Sequence, residues 1–267
     1  MLKRRVITGL VLGPTVIAAI VFAESWQLGL FFLLFVSLGL YEWAGLSGSS
    51  TRLLRLGYVL CGVLIALFLW RFPGIWYEVV SVVSLGWAAA LLIVVSYPRF
   101  SLRIKPTAVM RSVGWVVCIG GWLGVNLIRG QPDGHWLVLW LIVVIAAADT
   151  GAYFAGRRFG SAKLLPRVSP GKTWEGAVGG LILAIVTGQF VVMICGLLGL
   201  FGLFGWLFLT LLIVAVSIVG DLFESVVKRI ADAKDSGNLL PGHGGVLDRM
   251  DSVLAAAPIF ALATMLS

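Results

Sequence analysis

The stretch DLFESVVKRIADAKDSGNLLPGHGGVLDRMDS, from Asp221 to Ser252, contains half of the chain's twelve acidic residues. Apolar segments long enough to cross a bilayer lie on both sides of it. Its beginning has polar residues at i, i+3, i+4, i+7 and i+8, which share one face of a helix. These residues are Asp221, Glu224, Ser225, Lys228 and Arg229. The stretch therefore predicts a polar helix face at the end of a membrane-spanning segment.

The helix is expected to end before the loop 236–245, because Pro241 lacks a backbone donor and the glycines favour turns. Helix is expected to resume near residue 246, where Asp248 and Asp251 share a face. Two acid-bearing helix ends joined by a basic, glycine-rich loop suit a divalent cation and a polyphosphate. An ordinary charged loop between two spans is the alternative reading.

Three groups of residues follow one another at fixed spacing in this stretch. They are Ser225-Val-Val-Lys228-Arg229, Lys234-Asp235-Ser-Gly237 and Leu240-Pro-Gly-His243-Gly244-Gly245-Val-Leu-Asp248-Arg249-Met-Asp251. Together they resemble the signature of the phosphatidate cytidylyltransferases, also called CDP-diacylglycerol synthases. The resemblance implies an all-helical membrane enzyme that uses CTP and phosphatidate and forms CDP-diacylglycerol and pyrophosphate.

The resemblance also implies a metal site. Asp221 and Asp248 are expected to bind Mg²⁺, and Asp251 is expected to support the metal shell. A second, monovalent cation is compatible with the family. A phosphate monoester is already a nucleophile, so the reaction needs alignment and charge neutralisation and no serine or cysteine nucleophile.

The basic and small polar residues are expected to hold the phosphates. Lys228 and Arg229 are expected to neutralise phosphate charge, and Ser225 is expected to donate a hydrogen bond to phosphate. Helix capping is the alternative role for Ser225. Further substrate-binding candidates are Asp149, Lys172, Thr173, Lys234, His243, Gly244, Gly245 and Arg249.

The composition excludes an ordinary soluble domain. The chain is 60% hydrophobic and 12% charged, with a mean hydropathy of +1.04. An all-α, polytopic membrane protein in contact with the lipid bilayer is expected. About nine spans are predicted, near residues 6–23, 26–46, 53–70, 75–97, 108–128, 135–155, 175–199, 203–222 and 249–266. Residues 1–267 are expected to form one domain, with 1–130 mainly as scaffold and 135–267 forming the catalytic cavity.

The N-terminal segment and the distribution of Lys and Arg predict how the chain is oriented in the membrane. The apolar run from Val6 to Ala23, which follows three basic residues, resembles a signal peptide, but the many spans that follow favour a retained first helix. With a cytoplasmic N-terminus, every Lys and Arg except Arg71 and Arg129 falls on the cytoplasmic side. The net charge of +8 is thereby explained by orientation, and no nucleic-acid partner is expected. The active site is expected at the cytoplasmic face of the inner membrane.

A second polar stretch lies between the sixth and seventh spans. Asp149 falls inside an apolar span, where an acid needs a partner or water, so it belongs either to a polar cavity or to an interhelical hydrogen bond. Gly171-Lys172-Thr173 imitates the end of a P-loop, but Pro166 occupies the required glycine position. Ser169 is expected to cap a helix that begins at Pro170.

Other functions remain open from the sequence alone. A CTP-dependent lipid kinase would use the same substrate classes but release CDP, and an ion-coupled transporter would also need intramembrane acids. Glu42 and Glu78 lie in apolar spans without a feature that selects a role. The pairs Gly120-Gly121 and Gly179-Gly180 are suited to close helix packing within a chain or in a homodimer.

Overall fold

The structure is a computed structural model that describes residues 2–99, 108–239 and 244–265. Nine α-helices account for most of these described residues. They are α1 (Leu2–Phe22), α2 (Ser25–Leu46), α3 (Arg52–Arg71), α4 (Trp76–Ser96), α5 (Ala108–Arg129), α6 (Gly134–Phe159), α7 (Trp174–Ile194), α8 (Leu198–Ile230) and α9 (Leu247–Thr264). A short helical turn, Pro73–Ile75, precedes α4, and a hairpin of β1 (Lys163–Leu165) and β2 (Ser169–Thr173) precedes α7. The prediction of an all-α polytopic protein is confirmed.

Seven helices in the described ranges, α2 to α8, are long and apolar enough to cross a membrane. The apolar part of α1 is shorter, and α9 carries charged residues in its first turns. The exposed face of α7 is apolar, with Ile182, Val186 and Phe190 uncovered, as expected for contact with lipid. The chain is thus an integral membrane protein, and the count of nine crossings stays a prediction.

Helix α9 lies at the centre of the protein. It packs against α2, α4, α5, α6 and α8. Ala255, Ala256, Ala257 and Phe260 on α9 are all 0% exposed. The run of small side chains lets neighbouring backbones approach closely, which is how membrane helices gain packing energy without a hydrophobic driving force.

Glycines make the closest helix contacts. A Cβ at Gly180 on α7 would collide with the carbonyl oxygen of Ala148 on α6, and a Cβ at Gly121 on α5 would lie 2.7 Å from Cα of Leu254 on α9. Both glycine pairs noted in the sequence therefore support packing within this chain. A homodimer stays a prediction.

Replacing Gly124 by alanine is expected to destabilise the protein by about 1–3 kcal/mol, the usual effect of overpacking. A Cβ there would lie 2.6 Å from the backbone nitrogen of Pro258 on α9, and backbone cannot rotate away. Thermal unfolding in detergent measures the effect. Gly86→Ala on α4 is the matched control, because nothing lies within 4 Å of its Cβ position. An unfolding temperature of Gly124→Ala equal to that of the control would contradict the tight α5–α9 contact.

Helix α8 carries the polar face predicted from the sequence. Its helical conformation is interrupted at Gly202, whose φ of 64° and ψ of 176° are accessible to glycine. From residue 203 to residue 230 the helix is about 40 Å long, at 1.5 Å per residue, whereas the hydrocarbon core is about 30 Å thick. Asp221 lies about 27 Å along the helix from residue 203 and Arg229 about 39 Å, so the last two turns of α8 extend beyond such a core and Asp221 lies near its boundary.

Candidate active site

A cavity of about 640 Å³ lies between α6, the hairpin, α7, α8 and α9. It contains eight of the residues singled out from the sequence. They are Asp149, Lys172, Thr173, Asp221, Lys228, Asp248, Arg249 and Asp251. The two acid-bearing helix ends, on α8 and α9, thus face the same cavity, as the sequence predicts. Its size is in the range of small-molecule sites.

Asp221 forms an ion pair across the cavity wall. Lys172, which β2 supplies, places its Nζ 2.6 Å from Oδ2 of Asp221 on α8. The two side chains are 24% and 33% exposed, so both remain accessible from the cavity. The hairpin therefore brings a cation to the acid of α8 from a segment about 50 residues earlier.

Lys228 lies between two acids. Its Nζ is 2.6 Å from Oδ1 of Asp248 and 3.4 Å from Oε2 of Glu224. The side chain of Glu224 is 3% exposed, and Asp251 is in contact with this carboxylate from α9. One positive charge thus offsets two carboxylates in a largely desolvated place.

Asp248 also organises the loop between α8 and α9. Its Oδ2 accepts hydrogen bonds from the backbone N–H of Ser236 at 3.0 Å, the backbone N–H of Gly245 at 2.9 Å and the Ser236 hydroxyl at 3.0 Å. With Lys228 on Oδ1, both oxygens of this carboxylate have partners. Asp248 is therefore a bracing residue of the loop as well as a lining residue of the cavity.

The chemistry of the cavity fits Mg²⁺ held together with substrate phosphates. Among the described residues, no group of three or more His, Cys, Asp or Glu is arranged to hold a metal ion. The expected cluster of Asp221, Asp248 and Asp251 is thus not gathered into one ligand set. Mg²⁺ ordinarily binds one or two carboxylates and completes its shell with waters and phosphate oxygens. Asp221, which Asp149 and Asp251 approach closely enough to interact electrostatically, satisfies that requirement.

The hairpin corrects the helix start expected from the sequence. Ser169 and Pro170 lie in β2, paired with β1, and α7 begins only at Trp174. Thr173 is the N-cap, with its Oγ1 accepting a hydrogen bond from the backbone N–H of Gly176 at 3.1 Å. Proline is tolerated in β2 because a two-stranded hairpin has only edge strands. Thr173 therefore lines the cavity with its hydroxyl already engaged in capping.

Several candidates lie outside the lining of the cavity. Ser225 is buried at 8% exposure, and Lys234 is exposed. Arg229 donates from Nε to the carbonyl oxygen of Val168 at 3.3 Å, so it ties the hairpin to α8, and its contact with phosphate stays a prediction. Gly244 has a φ of 80°, a backbone conformation in which a residue with a side chain would be strained. Gly245 acts through its N–H to Asp248, and His243 lies outside the described residues.

The cavity also contains charged residues that the sequence analysis did not select. Asp235 and Arg157 both line it. Arg157 donates to the hydroxyl of Tyr153 at 3.1 Å, one turn earlier on α6. The sequence shows that Arg157 and Tyr153 are four residues apart, on one face of a helix, and that Asp235 lies within the signature. Whether Arg157 and Asp235 reach the same cavity depends on how α6 packs relative to α8, and the spacing of residues along the sequence does not specify this packing.

Comparison with known proteins decides the family. The model of the cytidylyltransferase family matches residues 3–267. The chain belongs to the cytidylyltransferase family. Among curated members, it is 40% identical to the phosphatidate cytidylyltransferase of Pseudomonas aeruginosa, across 98% of this chain and 96% of that protein. It is 35% identical to the phosphatidate cytidylyltransferase of Haemophilus influenzae, across 97% of each chain. The cytidylyltransferase resemblance noted in the signature thus extends over almost the whole length.

Proposed function

We propose that this chain transfers the cytidylyl group of CTP to phosphatidate, with CDP-diacylglycerol and pyrophosphate as products. The observation that carries the proposal is the shared cavity, in which the ion pairs Lys172–Asp221 and Lys228–Asp248 lie together. Such a cavity offers both carboxylates for a cation and ammonium groups for phosphates. The names of the full-length relatives support the same reaction.

In the proposed reaction, a phosphate oxygen of phosphatidate forms a bond to the α-phosphorus of CTP. The bond from that phosphorus to the bridging oxygen of the β-phosphate breaks, and pyrophosphate leaves with the electron pair. Lys172 and Lys228 would turn from their carboxylates to the phosphates and offset the charge that accumulates there. Mg²⁺, held by Asp221 with Asp248 and Asp251 as further candidates, would supply additional charge neutralisation when bound.

The position of the cavity on α8 suits a lipid substrate. Asp221 and Lys228 are separated by about 10 Å along the helix axis. The site would therefore extend from the headgroup layer toward the hydrocarbon, so that a lipid phosphate can enter it sideways while its acyl chains remain in the hydrocarbon. The basic residues of the loops support a cytoplasmic opening at the inner membrane, where CTP is present.

Product analysis tests the proposal. Purified protein in detergent with Mg²⁺, phosphatidate and CTP labelled at the α-phosphorus is expected to place the label in a lipid, whereas label at the γ-phosphorus is expected in pyrophosphate. Transfer of γ-label to lipid would identify a lipid kinase instead. Absence of any CTP turnover, with solute movement in reconstituted vesicles, would support a transporter.

A further inference from the structure

Glu42 is a buried acid in a membrane-spanning helix. It lies near the end of α2 and is 3% exposed, although it is nearly two hundred residues from the signature loop in sequence. A carboxylate in such a place is costly unless hydrogen-bond donors surround it. Glu42 is also absent from the lining of the large cavity, so it is placed to act through other residues.

Among the described residues, the hydrogen-bond partners of the Glu42 carboxylate belong to the signature loop and to the start of α9. Oε1 accepts from the backbone N–H of Val246 at 3.1 Å, and Oε2 accepts from the backbone N–H of Leu247 at 2.8 Å. The Ser236 hydroxyl lies 3.0 Å from Oε2. Helix α9 has no capping hydrogen bond from the side chain of its own N-cap residue, Val246. Glu42 therefore supplies from α2 the acceptors and the negative charge that a helix N-terminus requires.

Two glycines of the signature make this approach possible. A Cβ at Gly237 or at Gly245 would collide with the carboxylate of Glu42. Neither glycine has a positive φ, so the reason for glycine is space, which the Glu42 carboxylate needs at Gly237 and which this carboxylate and the Ser236 hydroxyl need at Gly245. Gly237 and Gly245 thus lie directly against a side chain from a distant part of the sequence.

The hydroxyl of Ser236 links Glu42 to the candidate active site. It lies 3.0 Å from Oε2 of Glu42 and 3.0 Å from Oδ2 of Asp248, and it accepts from the backbone N–H of Asp248 at 3.3 Å. Asp248 in turn pairs with Lys228. A shift of Glu42 would therefore move the loop, the first turn of α9 and the acid that faces the cavity.

We infer that Glu42 is a positioning residue for cytidylyl transfer, because its carboxylate caps α9 and fixes the loop residues that hold Asp248, the partner of Lys228, in place. This inference rests on the proposed function. Glu42 touches no substrate. Its role is comparable to that of the residues that orient metal ligands from outside the metal site, whose loss commonly lowers metal affinity or activity by about 10- to 100-fold.

The test compares Glu42→Gln with Glu42→Asp. Glutamine keeps the length of the side chain but turns an NH₂ group toward a backbone N–H donor, so one of the three contacts must break. We expect kcat to fall by about 10- to 100-fold and the Mg²⁺ concentration for half-maximal rate to rise. Aspartate retains both acceptor oxygens and is expected to recover part of the loss. Glu78→Gln is the matched control, since Glu78 lies exposed at the start of α4.

Hydrogen exchange separates positioning from general stability and does not depend on activity. In Glu42→Gln, faster exchange is expected in a peptide covering residues 244–252, with unchanged exchange in α5 and α6. Wild-type kcat and exchange in Glu42→Gln would overturn the inference, as would equally faster exchange in every helix. Should the wild-type protein form no CDP-diacylglycerol, the proposed function fails, while the exchange result still reports whether Glu42 fixes the loop.

Discussion

Asp221→Asn is expected to lower cytidylyl transfer by about a thousandfold, because the Mg²⁺ ion that we propose Asp221 to hold would supply several kcal/mol of charge stabilisation. Asparagine keeps the shape of the side chain but removes the negative charge that faces Lys172 at 2.6 Å. Since that ion pair is partly exposed, its loss is expected to cost at most about 1 kcal/mol of stability. The measurement is the rate of CDP-diacylglycerol formation across a range of Mg²⁺ concentrations, with thermal unfolding recorded alongside.

Asp232→Asn is the matched control for this variant. Asp232 lies in the same sequence stretch, is exposed, and does not line the cavity. Its φ of 52° is in the left-handed region, which asparagine also adopts readily, so the backbone is not disturbed. Near wild-type activity is expected for Asp232→Asn. Full activity in Asp221→Asn would remove Asp221 from the set of metal-binding candidates.

Lys228→Met is expected to impair both activity and folding. It leaves Glu224 and Asp248, which are 3% and 10% exposed, without their counter-ion. Removing one partner from a buried ion pair commonly costs about 3–5 kcal/mol. We expect a large drop in the unfolding temperature and loss of measurable transfer.

A second substitution distinguishes the two effects of Lys228→Met. Adding Glu224→Gln removes one of the uncompensated charges, so the double variant is expected to regain part of the stability while remaining inactive. Lys163→Met serves as the control, because Lys163 is exposed in β1. An unfolding temperature of Lys228→Met equal to that of this control would contradict a stabilising interaction of Lys228 with Glu224 and Asp248.

The sequence predicted the parts of this structure that depend on local spacing. The face of α8, the loop after Ile230 and the start of α9 at Leu247 follow from helical periodicity and from Pro241 with its neighbouring glycines. Helix positions follow from apolar length. Each of these features depends on residues that are close together in the sequence.

Tertiary contacts account for what the sequence did not predict. The hydrogen bonds from Glu42 to the start of α9 join residues that are 204 and 205 positions apart. A helical repeat relates residues three or four positions apart and therefore cannot predict such a contact. The hydrogen bond from Arg229 to the carbonyl oxygen of Val168 in the hairpin likewise joins residues that are far apart in the sequence. Ser169 and Pro170 had the pattern of a helix start, but pairing with β1 prevailed over this local preference. The division of the chain into a scaffold half and a catalytic half stays a prediction, and the hydrogen bonds of Glu42 join the two halves.

The central place of α9 has a consequence for biosynthesis. All five helices that surround it, α2, α4, α5, α6 and α8, leave the ribosome before it does. Until Leu247 and the residues after it enter the membrane, Lys228 has no Asp248 to pair with and Glu42 has no helix to cap. A nascent chain that stops before this point therefore has Asp149, Asp221 and Asp235 of the cavity but lacks Asp248 and Asp251, so the acids of α8 and α9 come together only after α9 has entered the membrane.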